Sequence, residues 1–298
     1  MSKKNSPAET KKLAIIGLGL LGSSLGLALQ DKGYFRLGWT RRKNVRDEAV
    51  EKNVIDKTSD NIEDILGEAD ISIFCLPIPQ IIEYSRKYAH CFKPGAVVTD
   101  IGSVKEVIVA VAEPEMAKYK VHFVGSHPMA GTEKSGPDAA FKELYNGASV
   151  FVTATENTDK AALEKVKELW RAIGTKPVET SLKEHDMLVA HTSHVQHIAA
   201  LAVTQAVLDC DEETRKLRYA GCAGGFKDTS RIASSSPLMW REIIENNQPA
   251  VLETIKEFDR RWHRLIKIIE KKDYDALEKE FSQGKHLRDD WIKNRFGK

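Results

Sequence analysis

The chain lacks an excess of charge of either sign. Its 45 lysines and arginines are balanced by 43 aspartates and glutamates, a net of +2 over 298 residues. That balance leaves no electrostatic footprint for nucleic acid or for an anionic membrane. Long apolar runs are missing too, and none approaches the ~18–20 residues that span a bilayer. The opening MSKKNSPAETKK is polar and lysine-rich, without the apolar core of a signal peptide, so residues 1–11 are expected to be a flexible tail. Cysteine is sparse. Cys75, Cys91, Cys210 and Cys222 have neither metal-type nor disulfide-framework spacing, which makes a reducing, cytoplasmic setting the simplest expectation. No internal repeat or low-complexity linker interrupts the sequence.

What is present starts with KLAIIGLGLLG, residues 12–22. An apolar run leads into Gly17, Leu18, Gly19, Leu20, Leu21 and Gly22, and a helical pattern follows. The spacing is G-x-G-x-x-G. The first glycine permits a tight turn, the second lets backbone approach a pyrophosphate, and the third lets helix and strand pack closely. Free N–H groups at the helix start then favour phosphate. The bland alternative is a glycine turn that only packs.

Residues 35–39 read as a second strand. Its end in an NAD site carries an acid that bonds the ribose 2′-hydroxyl. Here Thr40, Arg41 and Arg42 occupy that place. A hydroxyl and two guanidinium groups suit a 2′-phosphate, which an acid would repel. NADP is therefore expected, with NAD possible if the arginines only form a solvated turn. Further strands are read at 71–76, 96–100, 121–124, 149–154 and 176–180, alternating with helices. That alternation predicts an α/β class, a doubly wound Rossmann-type parallel sheet over residues 12–181. Cys75, Leu76 and Pro77 end one strand on the edge where ligands bind in such sheets. From residue 182 to 298 the pattern is helical, with one continuous helix predicted over 184–207.

Three groups of residues could carry chemistry. His127 is expected in a strand-end loop, on the same edge as the glycines, where it is able to act as acid or base. The bland reading makes it a structural hydrogen-bonder. His191, His194 and His197 recur on the predicted helix; a polar face lining a crevice fits better than a metal site, because no Cys, Asp or Glu joins at ligand spacing. Lys227 and Arg231 follow the pair Gly224 and Gly225, suited to a carboxylate or simply a charged helix start.

Taken in order, GLGLLG, TDIGSVK, GSHPMAGTEKSG, TSHVQH, GGFKDTSRIA and PLMW resemble the prephenate/arogenate (cyclohexadienyl) dehydrogenase family of tyrosine biosynthesis. The resemblance covers residues 13–262, and GSHPMAGTEKSG is its most specific part. It implies oxidative decarboxylation of prephenate or L-arogenate, with hydride passing to the nicotinamide. By motif position, His127 and Ser103 resemble the catalytic pair, the serine sharing the ring hydroxyl and supporting the histidine. Arg231 resembles the arginine that holds a substrate carboxylate, and His194 and His197 resemble the two histidines of the helix that lines the pocket. Glu133 and Asp228 resemble ionisable residues at its mouth. The helical region resembles a homodimerisation domain, and tyrosine is an expected competitive inhibitor.

The sequence departs from the family pattern at Gln196, where S-H-L-P-H is common. With few residues after the last predicted helix, a fused mutase or ACT domain is not expected. Two other readings stay open: a β-hydroxyacid dehydrogenase or imine reductase with the same plan, and a non-catalytic dinucleotide-binding protein.

Overall fold

The computed structural model describes residues 11–132 and 134–297. Strand and helix alternate through β1 (Lys11–Ile16), α1 (Leu20–Ala28), β2 (Tyr34–Trp39), α2 (Lys43–Glu51), α3 (Ile62–Glu68), β3 (Ile71–Phe74), α4 (Ile78–Tyr88), β4 (Val97–Asp100), α5 (Glu106–Ala117), β5 (His122–Pro128), β6 (Ser149–Thr153), α6 (Lys160–Ala172) and β7 (Lys176–Thr180). The seven strands form one sheet in the order β2-β1-β3-β4-β5-β6-β7. Every residue of β3 and β4 is buried. Helices cover both faces of such a sheet, which is why these strands read as continuous apolar runs. Two apolar clusters fill the two sides, one around Phe74, Val98 and Ile108, the other around Ile15, Val150 and Trp170.

The order runs outward from β1 in both directions, so the chain reverses its winding between β1 and β3. That switch point opens a crevice at the C-terminal ends of the two strands. β1 to β5 pair in parallel. β5 and β6 do not. They run antiparallel, with His127 opposite Phe151. This pairing extends β5 beyond the expected residue 124, and it moves His127 from the expected loop into a strand.

Helices follow: α7 (Leu182–Val189), α8 (Val195–Leu208), α9 (Glu212–Gly221), α10 (Gly224–Ser230), α11 (Pro237–Asn246), α12 (Gln248–Glu270) and α13 (Tyr274–Phe296). Ser181 starts α7 with a reciprocal capping box to Glu184. The expected single helix over 184–207 is broken, because Ala190–His194 winds as a π-helical turn between α7 and α8. By compactness the chain divides after Gln248. In the unit Pro249–Lys298, α12 exposes Phe258, Trp262 and Ile269, and α13 exposes Phe281, Leu287 and Trp291. Apolar side chains exposed on two helices are the kind of surface that interaction faces use. No helix among the described residues is long and apolar enough to cross a membrane.

The glycine turn is fixed by contact. A Cβ on Gly22 would overlap the carbonyl oxygen of Gly17, whereas one on Gly19 meets nothing within 4 Å. Gly22→Ala is therefore expected to cost about 1–3 kcal/mol. Gly19→Ala is expected to cost less than about 1 kcal/mol, as a change of N-cap only. Urea midpoints of the two variants check this, and equal losses would contradict it.

Candidate active site

The C-terminal ends of β1, β2 and β3 meet at the glycine loop. Gly17 N–H donates to Trp39 O at 2.8 Å, and Cys75 N–H donates to Ile16 O at 2.7 Å. Gly17 has φ +104°, and a Cβ there would overlap the Cys75 carbonyl, so glycine is required. Leu18 and Leu20 are buried and Leu21 is half-buried, while Gly19 lies exposed above them. No side chain caps the first turn of α1. Free N–H groups at a helix start, beside a glycine with open space over it, fit a pyrophosphate. Cys75 and Leu76 are half-buried and Pro77 is exposed on the facing strand end. Thr40 is half-buried, and Arg41 and Arg42 are exposed at the end of β2. An acid does reach this corner, one that local sequence could not reveal. Arg46 donates to Thr40 O at 2.7 Å and pairs with Asp60 from the segment before α3. Asp60 stands twenty residues beyond Thr40 and is neutralised by that arginine.

Two strands further along the same edge lies a buried polar cluster. Lys105 is fully buried; its ammonium pairs with Asp100 and donates to Ser126 O at 2.9 Å. The Asp100 carboxylate also accepts Ser126 N–H at 3.1 Å and Gly102 N–H at 2.8 Å. Ser103, half-buried, sits in this clamped loop between β4 and α5. The next residue of β5 is His127. Its Nδ1 lies 2.9 Å from His185 Nε2, and His185 Nδ1 lies 2.7 Å from Asp186 Oδ1. The hydrogen-bond partner of His127 Nδ1 is thus His185. Burial holds the His127 pKa well below the usual histidine value, reinforced by His185, Lys105 and His194. His127 is accordingly a neutral imidazole near pH 7.

The helical side carries the other predicted residues. The π-helical turn alters the helical register, so the three histidines do not share one environment. His194 is buried, His197 half-buried and His191 exposed. Asn247 Nδ2 lies 3.2 Å from His194 Nδ1 and donates to Asp186 O at 2.8 Å. Burial lowers His194 to about 4. His197 stacks on Trp240 with ring centroids 3.7 Å apart and planes at 26°. Burial lowers its pKa, and the Arg231 charge nearby lowers it further. Arg231 follows α10 directly and is brought close to His197; Lys227 and Asp228 lie exposed on α10, and Gln196 is exposed on α8. Glu133 lies outside the described residues. His185, Asp186 and Asn247 went unread in the sequence, because each matters through a partner 50 or more residues away; Trp240, the last residue of PLMW, was read without its stacking role across two helices. A separate cavity of about 520 Å³, lined by Glu113, His122 and Asp159 among others, opens at the far end of β5 from His127.

This geometry has known counterparts. Residues 25–179 match "Prephenate dehydrogenase, nucleotide-binding domain" and residues 181–283 match "Prephenate dehydrogenase, dimerization domain". The chain belongs to the prephenate dehydrogenase family. It is 32% identical over 291 residues to the cyclohexadienyl dehydrogenase of Zymomonas mobilis, covering 93% of this chain and 95% of that protein. The Aquifex aeolicus prephenate dehydrogenase, solved with hydroxyphenyl propionate and NAD+, superposes with a TM-score of 0.87 at 30% identity, over 96% of this chain and 99% of that one. Synechocystis arogenate dehydrogenase gives 0.82 at 30% identity, over 94% and 100%. As a member of the prephenate dehydrogenase family the chain is an oxidoreductase with a nicotinamide dinucleotide cofactor. The glycine loop precedes residue 25 and so lies outside the matched segment, but its geometry fits that cofactor.

The four site histidines set a pH dependence. Burial lowers the pKa of His127, His185, His194 and His197. In the unfolded chain each returns to about 6.5. Below that pH the unfolded state binds more protons than the folded state, so stability rises with pH and is lost as pH falls through this range. The urea midpoint is expected to be lower at about pH 5.5 than at about pH 7.5, a window above most carboxylate titrations. A constant or rising midpoint on acidification would contradict the neutral state of the cluster.

Proposed function

We propose that this chain oxidatively decarboxylates prephenate or L-arogenate, giving 4-hydroxyphenylpyruvate or L-tyrosine plus CO₂, with NADP as the preferred hydride acceptor. The observation that carries the reading is His127, a neutral imidazole on the same sheet edge as the glycine loop. Removing hydride from a carbon bearing a hydroxyl requires a group to take the hydroxyl proton. His127 is that group, and Ser103 shares the hydroxyl. Bound NADP supplies the acceptor for the hydride. Arg231, beside His197, holds a substrate carboxylate. Departure of the ring carboxylate as CO₂ then leaves its electron pair to make the ring aromatic. His194, His197 and Trp240 wall the site and exclude water, while Lys227, Asp228 and Gln196 border its mouth. Tyrosine, which shares the product's shape, competes there.

NADP is favoured because the end of β2 offers Thr40, Arg41 and Arg42, and because Asp60 nearby is already paired with Arg46. The exposed apolar faces of α12 and α13 support a homodimer through the C-terminal helices.

Initial rates with prephenate and arogenate, each with NAD and NADP, test the reading. Activity in one substrate column is expected, with NADP preferred. Arg41→Ala is expected to weaken NADP binding and leave NAD unaffected; equal weakening would remove the 2′-phosphate contact. Silence in all four combinations from folded protein would overturn the function.

His127→Asn is expected to lower kcat by on the order of 10²–10⁴-fold with little change in KM. A raised KM at unchanged kcat would take the proton-acceptor role away from His127.

A further inference from the structure

Two buried side chains stand behind His127. A carboxylate only accepts hydrogen bonds, so His185 Nδ1 carries the proton given to Asp186 Oδ1 at 2.7 Å. Burial keeps His185 neutral, which leaves its Nε2 as a bare lone pair. The 2.9 Å contact then requires His127 Nδ1–H to donate. Because His127 is neutral as well, its Nε2 has no proton. The tautomer of each ring is dictated in turn from Asp186 outward. Asp186 itself is held on three sides. Its oxygens accept Lys105 N–H at 2.7 Å and Glu106 N–H at 3.0 Å, at the start of α5, and its own carbonyl accepts Asn247 Nδ2 at 2.8 Å. α5 has no side-chain cap of its own, so Asp186 also serves as its cap from another helix.

We propose that Asp186 and His185 are positioning residues that fix His127 with Nε2 as the base and take up the positive charge formed when it accepts a proton. The proposal rests on the reading of His127 as proton acceptor. As the substrate O–H bond breaks, its proton bonds to His127 Nε2. The electron pair of that bond stays on oxygen and becomes part of the new C=O as hydride leaves the carbon for the nicotinamide. The His127 Nδ1 proton moves to His185 Nε2, and the His185 Nδ1–H bond is drawn toward Asp186. The cation then sits on His185 against a carboxylate. The surrounding charges favour that end. The Lys105 charge disfavours a cation on His127, whereas Asp186 and Asp100 face His185 together with Lys105.

The test uses the full-length enzyme, with Asp186→Asn and His185→Gln as variants. In Asp186→Asn the amide can donate to His185 Nδ1, which reverses both tautomers. The kcat is expected to fall on the order of 10²–10⁴-fold, as for a reversed imidazole tautomer elsewhere, with KM within about threefold. The acid limb of the kcat/KM profile is expected to move to lower pH, because the carboxylate that favoured protonation is gone. Without any substrate, ¹⁵N histidine NMR is expected to find His127 Nε2 unprotonated in the parent and protonated in Asp186→Asn. His185→Gln keeps an acceptor for His127 and leaves the Asp186 clasp on α5 intact, yet takes no proton, so kcat is expected to fall at least about tenfold. A kcat for His185→Gln within about threefold of the parent, or a His127 tautomer unchanged in Asp186→Asn, would overturn the proposal. The NMR readout needs no turnover. A tautomer that switches in a protein silent toward every substrate supports the positioning geometry and counts against the functional reading alone.

Discussion

The site depends on one buried cation. Lys105 has no exposed surface, and a charge taken out of water must be paired and hydrogen-bonded to be tolerated. Its ammonium meets Asp100 at the end of β4 and the Ser126 carbonyl on β5, and its backbone N–H meets Asp186 on α7. Asp100 in turn clasps Gly102 and Ser126, and Ser126 receives the Trp170 indole N–H from α6 at 3.0 Å. One residue beyond Ser126 is His127. The position of the base is therefore set by a network whose polar members satisfy one another in a low dielectric. Breaking any one of them leaves the others buried without a partner, which is the costly case.

A second constraint is the neutrality of the histidines. Four imidazoles converge where a polar crevice alone would be expected, and burial keeps each of them uncharged at neutral pH. A ring without charge is free to accept a proton, and a ring stacked on Trp240 presents a flat wall instead of a cation. The π-helical turn allots these roles. It buries His194 against Asn247, stacks His197 on the indole and leaves His191 outside. Such turns recur at functional sites because they aim side chains that a regular helix would not.

Much of this was legible in the chain itself, and the failures have physical causes. The apolar runs ISIF and VVTD read as strands because both their faces are buried. The second half of β5 did not, since its strand state comes from antiparallel pairing with β6, more than twenty residues later. The π-helical turn was also missed, because a helical pattern carries no mark of one extra residue in a turn. Asp60 escaped notice at the β2 corner because a loop returns it there. His185 and Asp186 looked like ordinary helix residues until α7 was packed against the start of α5.

By itself the sequence determined most of the elements, the glycine turn, and His127 and Arg231 as residues of interest, from short-range physics: steric limits at Gly17 and Gly22, hydrophobic periodicity, and motifs read over a few residues. Ser103 stood out only through the family resemblance. Tertiary structure alone decided which protonation state and tautomer His127 holds. Desolvation and the His127–His185 contact arise only when β5, α5 and α7 come together, and no local property of the chain encodes that meeting.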